Sequence, residues 1–262
     1  MQSTNKYLDQ VQHLREFGYV HIKSIINQSK IDDFRDTFFS LFNFYSHNKV
    51  ESNFDSEEFV LKLNEFRKKD PDTLHGLFRT FKHTYAFNNL FNERALYSLI
   101  SSILKEAYLN LIIAENQFRL DEPNDRLFTL EWHQDSTYYE QDRNGKDSLV
   151  INMCVQNNTS EMGVPRLIQG SHKLGKLENN KITKFNTNVE QNKVDNSYID
   201  KEKIKIIEPD AGDIVIYDMN LIHQSGYNST QKARFSVIGR AFNPKSTDYH
   251  HYYYPRKELI GK

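Results

Sequence analysis

Hydrophobic positions in the N-terminal part of the chain recur every three or four residues. Two such stripes are formed by Leu8, Val11, Leu14 and Phe17, and by Ile31, Phe34, Phe38, Leu41 and Phe42. This spacing places the apolar side chains on one face of an α-helix. Two or three more helical segments are predicted to run through 59–66 and 96–104, and a short extended stretch at 19–22 interrupts the series. We therefore expect residues 1–107 to form a mostly helical support for the rest of the molecule.

The pattern changes near residue 110, where short apolar and β-branched runs alternate with turn residues. These runs occupy 111–114, 127–132, 149–155, 164–168, 204–207, 214–217 and 235–241. Several short strands at such spacing are typical of an antiparallel sandwich or barrel. We predict an α+β protein, mainly β with flanking helices, whose double-stranded β-helix core of the jelly-roll or cupin-like type spans 108–245. The polar segment 178–200 is predicted to be an exposed insertion or lid, and residues 1–262 are expected to form a single domain.

Composition and charge narrow the functional classes. The chain has 262 residues, 38% of them hydrophobic, which suffices for one packed core. Lys and Arg total 34 against 35 Asp and Glu, so the net charge is −1. Because a protein that binds nucleic acid usually carries a basic excess, we expect no nucleic-acid partner. The oligomeric state stays open.

The single cysteine and the lack of long apolar runs indicate a cytoplasmic protein. Cys154 is the one cysteine, so an intrachain disulfide is not available, and this favours a reducing compartment. No apolar stretch approaches the length of a signal peptide or of a membrane helix. We therefore predict a cytoplasmic location and no membrane partner.

A candidate metal site lies in the β half of the chain. His133 and Asp135 are two residues apart, and in an extended segment such residues point to the same side. An HxD pair alone is weak evidence, but His223 follows a predicted strand further along the chain. Two histidines and one carboxylate are the usual ligands of non-haem iron(II). We predict that these three residues bind iron(II) and leave positions free for a chelating 2-oxo acid and for dioxygen.

Arg234 extends this constellation beyond the second histidine. Its guanidinium can form two parallel hydrogen bonds to a carboxylate. Ser236 lies two positions further on, on the same strand face, and can donate one more. This Arg-x-Ser pair suits the distal carboxylate of 2-oxoglutarate. The order HxD, then His, then Arg-x-Ser is therefore much more specific than any one of its parts.

Taken together, these motifs resemble the phytanoyl-CoA dioxygenase (PhyH) family of iron(II)- and 2-oxoglutarate-dependent oxygenases. The resemblance covers most of the chain and is densest over 131–236. The motifs that carry it are Phe17-Gly18-Tyr19-Val20, Trp132-His133-Gln134-Asp135, Gly163-Val164-Pro165-Arg166-Leu167-Ile168-Gln169-Gly170-Ser171-His172-Lys173, Gly212-Asp213-Ile214-Val215-Ile216-Tyr217-Asp218, His223, Asn228 and Arg234. The resemblance implies a double-stranded β-helix, iron ligation by the three predicted ligands, and a salt bridge from Arg234 to 2-oxoglutarate.

The resemblance also implies further contacts around the cosubstrate. Ser225 or Ser236 would assist the arginine, and Gln117 falls near a family position that touches cosubstrate or substrate. Asn152 aligns with another such position, which is often Trp in the family, so the pocket wall is smaller and more polar here. Arg79 matches a basic residue of the family near the cosubstrate and is a candidate substrate contact.

The expected reaction is the hydroxylation of a small molecule, with conversion of 2-oxoglutarate to succinate and carbon dioxide. Tyr138, close after the HxD motif, is a candidate for the substrate pocket and equally for packing in the barrel. Desaturation, ring closure and epimerisation stay open, as does the identity of the substrate. Two alternatives remain: a cupin-like isomerase or hydrolase that uses zinc or manganese on the same ligands, and a non-catalytic binding protein on the same scaffold. Arg234 and the complete ligand set favour the oxygenase.

Overall fold

Helices occupy most of the N-terminal part of the computed structural model, which describes residues 6–124, 129–138, 147–183 and 190–246. They are α1 (Leu8–Phe17), α2 (Gln28–Ser46), α3 (Glu57–Lys69), α4 (Pro71–Phe81), α5 (Tyr85–Asn89) and α6 (Arg94–Leu104). Their ends follow local chemistry. The Asn27 side chain accepts a hydrogen bond from the Ser29 amide at the start of α2, and Gly18 ends α1 in the left-handed conformation. The predicted helical region is confirmed. None of the helices in these ranges combines the length and the hydrophobicity of a membrane span.

The strands of the described residues agree with most of the predicted runs. They are β1 (Tyr19–Ile22), β2 (Ile112–Asp121), β3 (Ser148–Cys154), β4 (Arg166–Ile168), β5 (Asn179–Thr183), β6 (Glu190–Val194), β7 (Ile204–Ile206), β8 (Ile214–Asp218), β9 (His223–Gln224) and β10 (Arg234–Phe242). β2 extends well beyond the predicted 111–114. The prediction was too short because polar residues such as Gln117 and Arg119 interrupt the apolar run of this strand. The predicted strand at 127–132 is only partly described: 129–132 belong to no strand, and 125–128 lie outside the described ranges.

Two antiparallel sheets face each other across the molecule. Within the described residues, the larger sheet has five strands in the order β1-β8-β3-β10-β2, and the smaller has three in the order β7-β4-β9. Val150 and Tyr217 of the larger sheet pack in one cluster with Leu167 and Leu221 on the opposite side. Most strands that are neighbours in the sheets are distant in the sequence, as a double-stranded β-helix requires. The predicted α+β class with a jelly-roll core is thus confirmed.

The other face of the five-stranded sheet carries the helices. Neighbouring strand residues face opposite sides, so on β10 Phe235 points into the helical layer while Arg234, Ser236 and Arg240 line a cavity between the sheets. Phe235 packs edge-on against Phe38 of α2, with ring centroids 5.3 Å apart. The helical layer therefore supplies the main core and holds β10 against the cavity.

The segment predicted as an insertion contains the antiparallel strand pair β5–β6, called here the hairpin, and residues 184–189 lie outside the described residues. β5 is largely exposed, but Asn192 and Val194 of β6 are buried. The Val194 amide donates to the Trp132 carbonyl, and the Asn192 side chain donates to the Thr137 carbonyl. The expectation of an exposed segment therefore fails for β6, because its polar groups find hydrogen-bond partners beside the HxD motif.

Candidate metal centre

His133 and His223 are brought together by a pair of backbone hydrogen bonds. Each amide donates to the carbonyl of the other residue at 2.9 Å, which forms an isolated antiparallel bridge. The two imidazole rings have centroids 4.2 Å apart, and both side chains are buried. The pairing of two distant chain segments thus determines the close approach of the rings.

Asp135 completes the cluster from a short 3-10 turn, Asp135–Tyr138, and not from an extended strand as expected. Its Oδ1 lies 3.5 Å from Nε2 of His133 and 3.4 Å from Nε2 of His223. Gln134, between the two ligands in sequence, is fully buried and donates from Nε2 to two backbone carbonyls at 2.8 and 2.6 Å. These bonds fix the turn, so the two residues of the HxD motif still meet.

Both histidines offer Nε2 to the centre of the cluster. Nδ1 of His133 lies 2.6 Å from the Glu131 carbonyl, and Nδ1 of His223 lies 2.9 Å from the Leu221 carbonyl. Because a carbonyl oxygen only accepts, each Nδ1 carries the proton and each Nε2 keeps its lone pair. Burial, reinforced by the neighbouring His223, lowers the pKa of His133 and favours its neutral form, which is the form that binds metals.

The second oxygen of Asp135 is held by Arg240, a residue that the sequence analysis did not single out. Nη2 and Nε of Arg240 lie 2.8 and 3.2 Å from Oδ2. Burial alone would raise the pKa of Asp135, but Arg240 and the two histidines outweigh it and keep this pKa well below its usual range. The carboxylate is therefore charged. The signal that could have found Arg240 is its even spacing from Arg234, which puts both on one face of the strand.

The three residues fit a transition metal of the non-haem iron type. One ligand atom from each lies within 4.8 Å of the other two, and all three residues are buried. Two neutral imidazoles and one charged carboxylate form the ligand set that such iron uses, with several coordination positions left open. Arg240 and the two backbone carbonyls supply the outer contacts that orient ligands of this kind.

Arg234 lines the same cavity, but it already has a carboxylate partner. Its Nη2 lies 2.5 Å from Oδ2 of Asp121, the residue opposite it on β2, and its Nη1 donates to Oγ of Ser236 at 2.7 Å. Asp121 is also held by Nε of Arg119 at 2.6 Å. The buried Nε of Arg234 has no hydrogen-bond partner among the described residues. The guanidinium thus retains a donor that a bound carboxylate can use.

The other predicted site residues differ in how they are placed relative to the metal cluster. Gln117, Asn152 and Ser225 line the cavity that contains the cluster. Tyr138 packs its ring against that of His133, with centroids 5.7 Å apart, and its hydroxyl accepts a hydrogen bond from an amide of β6. Packing therefore accounts for much of the environment of Tyr138. The cosubstrate and substrate roles of all four residues stay predictions.

Arg79 lies apart from this group. It is exposed in the last turn of α4 and lines a groove between α4 and β2. Gln117 and Arg119 line both this groove and the metal cavity, so the two spaces meet at β2. Arg79 is not among the residues that line the metal cavity, and its predicted contact with the substrate stays a prediction.

The fold and the buried cluster together define a metal-binding protein built on a double-stranded β-helix, with the ligand set of non-haem iron enzymes. A family model described as phytanoyl-CoA dioxygenase (PhyH) matches residues 14–236. The chain therefore belongs to this family, which confirms the resemblance seen in its motifs. No curated protein sequence matches the chain.

Solved structures of similar fold agree with this assignment. A non-haem monooxygenase, ThoJ in its apo form, has a TM-score of 0.63 and 15% identity, over 90% of this chain and 77% of its own. EvdO2 from Micromonospora carbonacea var. aurantiaca, complexed with 2-oxoglutarate, has a TM-score of 0.61 and 16% identity, over 89% of both chains. The epimerase SnoN, in complex with Fe3+, alpha ketoglutarate and nogalamycin RO, has a TM-score of 0.53 and 13% identity, over 89% and 82%. At these identities the similarity establishes the fold.

Proposed function

We propose that this protein is an iron(II)- and 2-oxoglutarate-dependent dioxygenase that hydroxylates a small-molecule substrate. The observation that carries the proposal is the buried cluster of His133, Asp135 and His223 in one cavity with Arg234. Membership of the PhyH family, together with similar structures that contain 2-oxoglutarate, supports oxygenase-type activity of this kind. We expect the protein to act in the cytoplasm, where the single thiol of Cys154 would stay reduced.

The chain's own residues prepare this site in three ways. The two neutral imidazoles and the charged Asp135 would hold iron(II) from one side, and Arg240 keeps that carboxylate charged and oriented. Arg234, supported by Ser236, would bind the far carboxylate of 2-oxoglutarate and place its keto acid end toward the metal. The burial of these groups excludes water, which strengthens each charge interaction in the cavity.

The bound iron and 2-oxoglutarate would supply the oxidising power, with dioxygen consumed, 2-oxoglutarate converted to succinate and carbon dioxide, and one oxygen atom passed to the substrate. The protein contributes binding and orientation to this chemistry. Transfer of one oxygen atom from dioxygen to the substrate gives a hydroxylated product directly. Because one similar structure is named an epimerase, product analysis has to accompany any activity assay.

The test is the formation of succinate from 2-oxoglutarate by the full-length protein with iron(II), ascorbate and oxygen. We expect succinate from the wild type, because many oxygenases of this type turn over 2-oxoglutarate slowly without their substrate, and none from His133→Ala. His83→Ala is the matched control, since His83 is exposed and lies outside the cavity. An anaerobic titration with iron(II) reports metal binding separately through Trp132, the one tryptophan, which adjoins His133.

The outcomes separate the alternatives. Iron binding and succinate formation that both disappear in His133→Ala support the dioxygenase. Binding of zinc or manganese with conversion of a substrate, but without any use of oxygen or 2-oxoglutarate, would favour the isomerase or hydrolase. A chain that binds none of these metals would favour the non-catalytic binding protein.

A further inference from the structure

A second cavity of about 620 Å³ lies beside the metal centre, between α4 and β2. β2 is the last strand in the order of the five-stranded sheet, so the groove follows the edge of that sheet. Gln117, Arg119 and Leu130 line both this groove and the cavity of the metal cluster. The groove and the metal cavity therefore adjoin at these three residues.

The helical wall of the groove carries unpaired positive charge. His75, Arg79 and Lys82 follow each other at spacings of four and three residues, which places them on one face of the helix. Within the described residues, neither Arg79 nor Lys82 has an ion-pair partner. The cations contributed by other elements differ in this respect, because Arg67 is paired with Glu122 and Arg119 with Asp121. The groove is thus locally basic although the chain as a whole carries a net charge of −1.

Helix stabilisation does not account for this whole arrangement. Basic residues in the last turn of a helix interact favourably with its dipole, and Arg79 lies in the last turn of α4. The dipole does not require, however, that Arg79 and Lys82 lie beside an apolar groove. The floor of the groove is apolar and includes Phe78, Phe118 and Leu130. A cationic wall above an apolar floor is suited to a ligand that has both an anionic and an apolar part.

We propose that this groove is the substrate-binding site of the dioxygenase and that it takes an organic anion with an apolar portion. The proposal rests on the function proposed above. Arg79 and Lys82 would bind the anionic group, a carboxylate or a phosphate. The apolar portion would lie against Phe78 and Leu130, in the direction of the metal cavity. The substrate atom that is oxidised would then belong to the end of the molecule remote from its charge.

The test uses three small probes with the same alkyl chain: hexyl phosphate, hexanoate and hexan-1-ol. Each is titrated calorimetrically into the metal-free, full-length protein. We expect at least one of the two anions to bind at least about tenfold more tightly than the neutral alcohol, and the comparison of phosphate with carboxylate identifies the preferred group. Binding of the anion should weaken as salt is added, because an ion pair near the surface is screened.

Charge reversal locates the binding. In Arg79→Glu/Lys82→Glu we expect the affinity for the preferred anion to fall at least about tenfold, and in the milder Arg79→Gln/Lys82→Gln to fall less. The matched control is Lys68→Glu/Lys69→Glu, which makes the same change in charge at exposed positions in the last turn of α3, outside the groove. The control should bind the anion as the wild type does. Circular dichroism establishes that each variant is folded.

The proposal is overturned if the alcohol binds as tightly as both anions or if both groove variants retain the wild-type affinity for the anion. It is also overturned if the control variant loses as much affinity as the groove variants do. The failure of the proposed function has a different signature. A wild type that binds the anion but neither iron nor 2-oxoglutarate would retain the groove and disprove the dioxygenase. A wild type that forms succinate but binds no anion in the groove would support the dioxygenase and overturn the groove proposal.

Discussion

The two oxygens of the Asp135 carboxylate have different partners at the metal centre. Oδ1 of Asp135 faces Nε2 of both histidines, whereas Oδ2 is held by Arg240. Contacts behind a metal ligand orient it and hold it in the charged state. Arg240 is therefore a positioning residue, because it acts on the metal through Asp135.

Replacement of Arg240 should weaken metal binding without removing a ligand. In Arg240→Met the buried carboxylate loses its cation, and we expect metal affinity to fall by about 10- to 100-fold. Arg240→Lys, which retains the charge but not the two-pronged contact, should recover part of the loss. The measurement is an anaerobic iron(II) titration followed by Trp132 fluorescence. Wild-type affinity in the Met variant would show that Asp135 does not depend on Arg240.

Two elements support the site from opposite sides. β10 presents Arg234, Ser236 and Arg240 to the cavity while its alternate residues lie in the core, so the packing of the helical layer holds these polar groups in place. The hairpin β5–β6 acts from the other side, because β6 is hydrogen-bonded to the turn that contains Asp135. A change in either element is expected to reach the metal ligands through the backbone.

Asn192 is the side chain that ties the hairpin to this turn. Its Nδ2 donates to the carbonyl and the hydroxyl of Thr137 at 2.9 and 3.1 Å. In Asn192→Ala the hairpin should open more readily, by about 1–2 kcal/mol, because the partner groups are left without hydrogen bonds. Hydrogen exchange of the β6 amides measures this opening. Asn180→Ala, on the exposed strand β5, is the control, and equal exchange in both variants would mean that other contacts hold the hairpin.

At the scale of the whole molecule, two layers of opposite character meet at the five-stranded sheet. The helical side is filled by aromatic rings, among them Phe34, Phe38, Phe81 and Phe118, which contact one another edge-on or tilted. The other side holds a polar cavity with several buried charges. Burying charge costs stability unless each charge is paired, so the apolar layer is the main source of stability for the fold.

One partly buried acid should make the stability of the molecule depend on pH. Burial, with a smaller effect of Asp147, raises the pKa of Asp218 at the end of β8 to about 6, although the Asn220 amide opposes the shift. The usual pKa is 3.8, so the folded state binds the proton more tightly than the unfolded state does. This contribution to stability is complete below about pH 4 and is lost as the pH rises through about 6.

Asp218→Asn keeps an oxygen for the Asn220 amide and removes the charge. We therefore expect the variant to melt at a higher temperature than the wild type at pH 8, and the difference to shrink at pH 5. Thermal unfolding followed by circular dichroism at the two pH values measures this. The control is Asp33→Asn, which removes the same charge from an exposed position on α2. An equal gain in the control would assign the effect to net charge and not to burial.

Local patterns were sufficient to predict the division into a helical part and a β core, because helix and strand periodicities depend on residues close in sequence. They predicted the ends of β3, β8 and β10 closely. They placed the end of β2 too early, because polar residues of this strand face the cavity. The identity of the metal ligands could also be predicted from the local sequence. An HxD pair, a later histidine and an Arg-x-Ser pair are recognisable by residue type and order alone.

The contacts that make these residues a site were decided by the tertiary structure. The bridge between His133 and His223, the pairing of Arg234 with Asp121, and the hold of Arg240 on Asp135 all join segments far apart in the chain. The basic groove likewise exists only where α4 meets β2. Strand register and helix packing bring such groups together, and both depend on contacts between segments that are distant in the sequence.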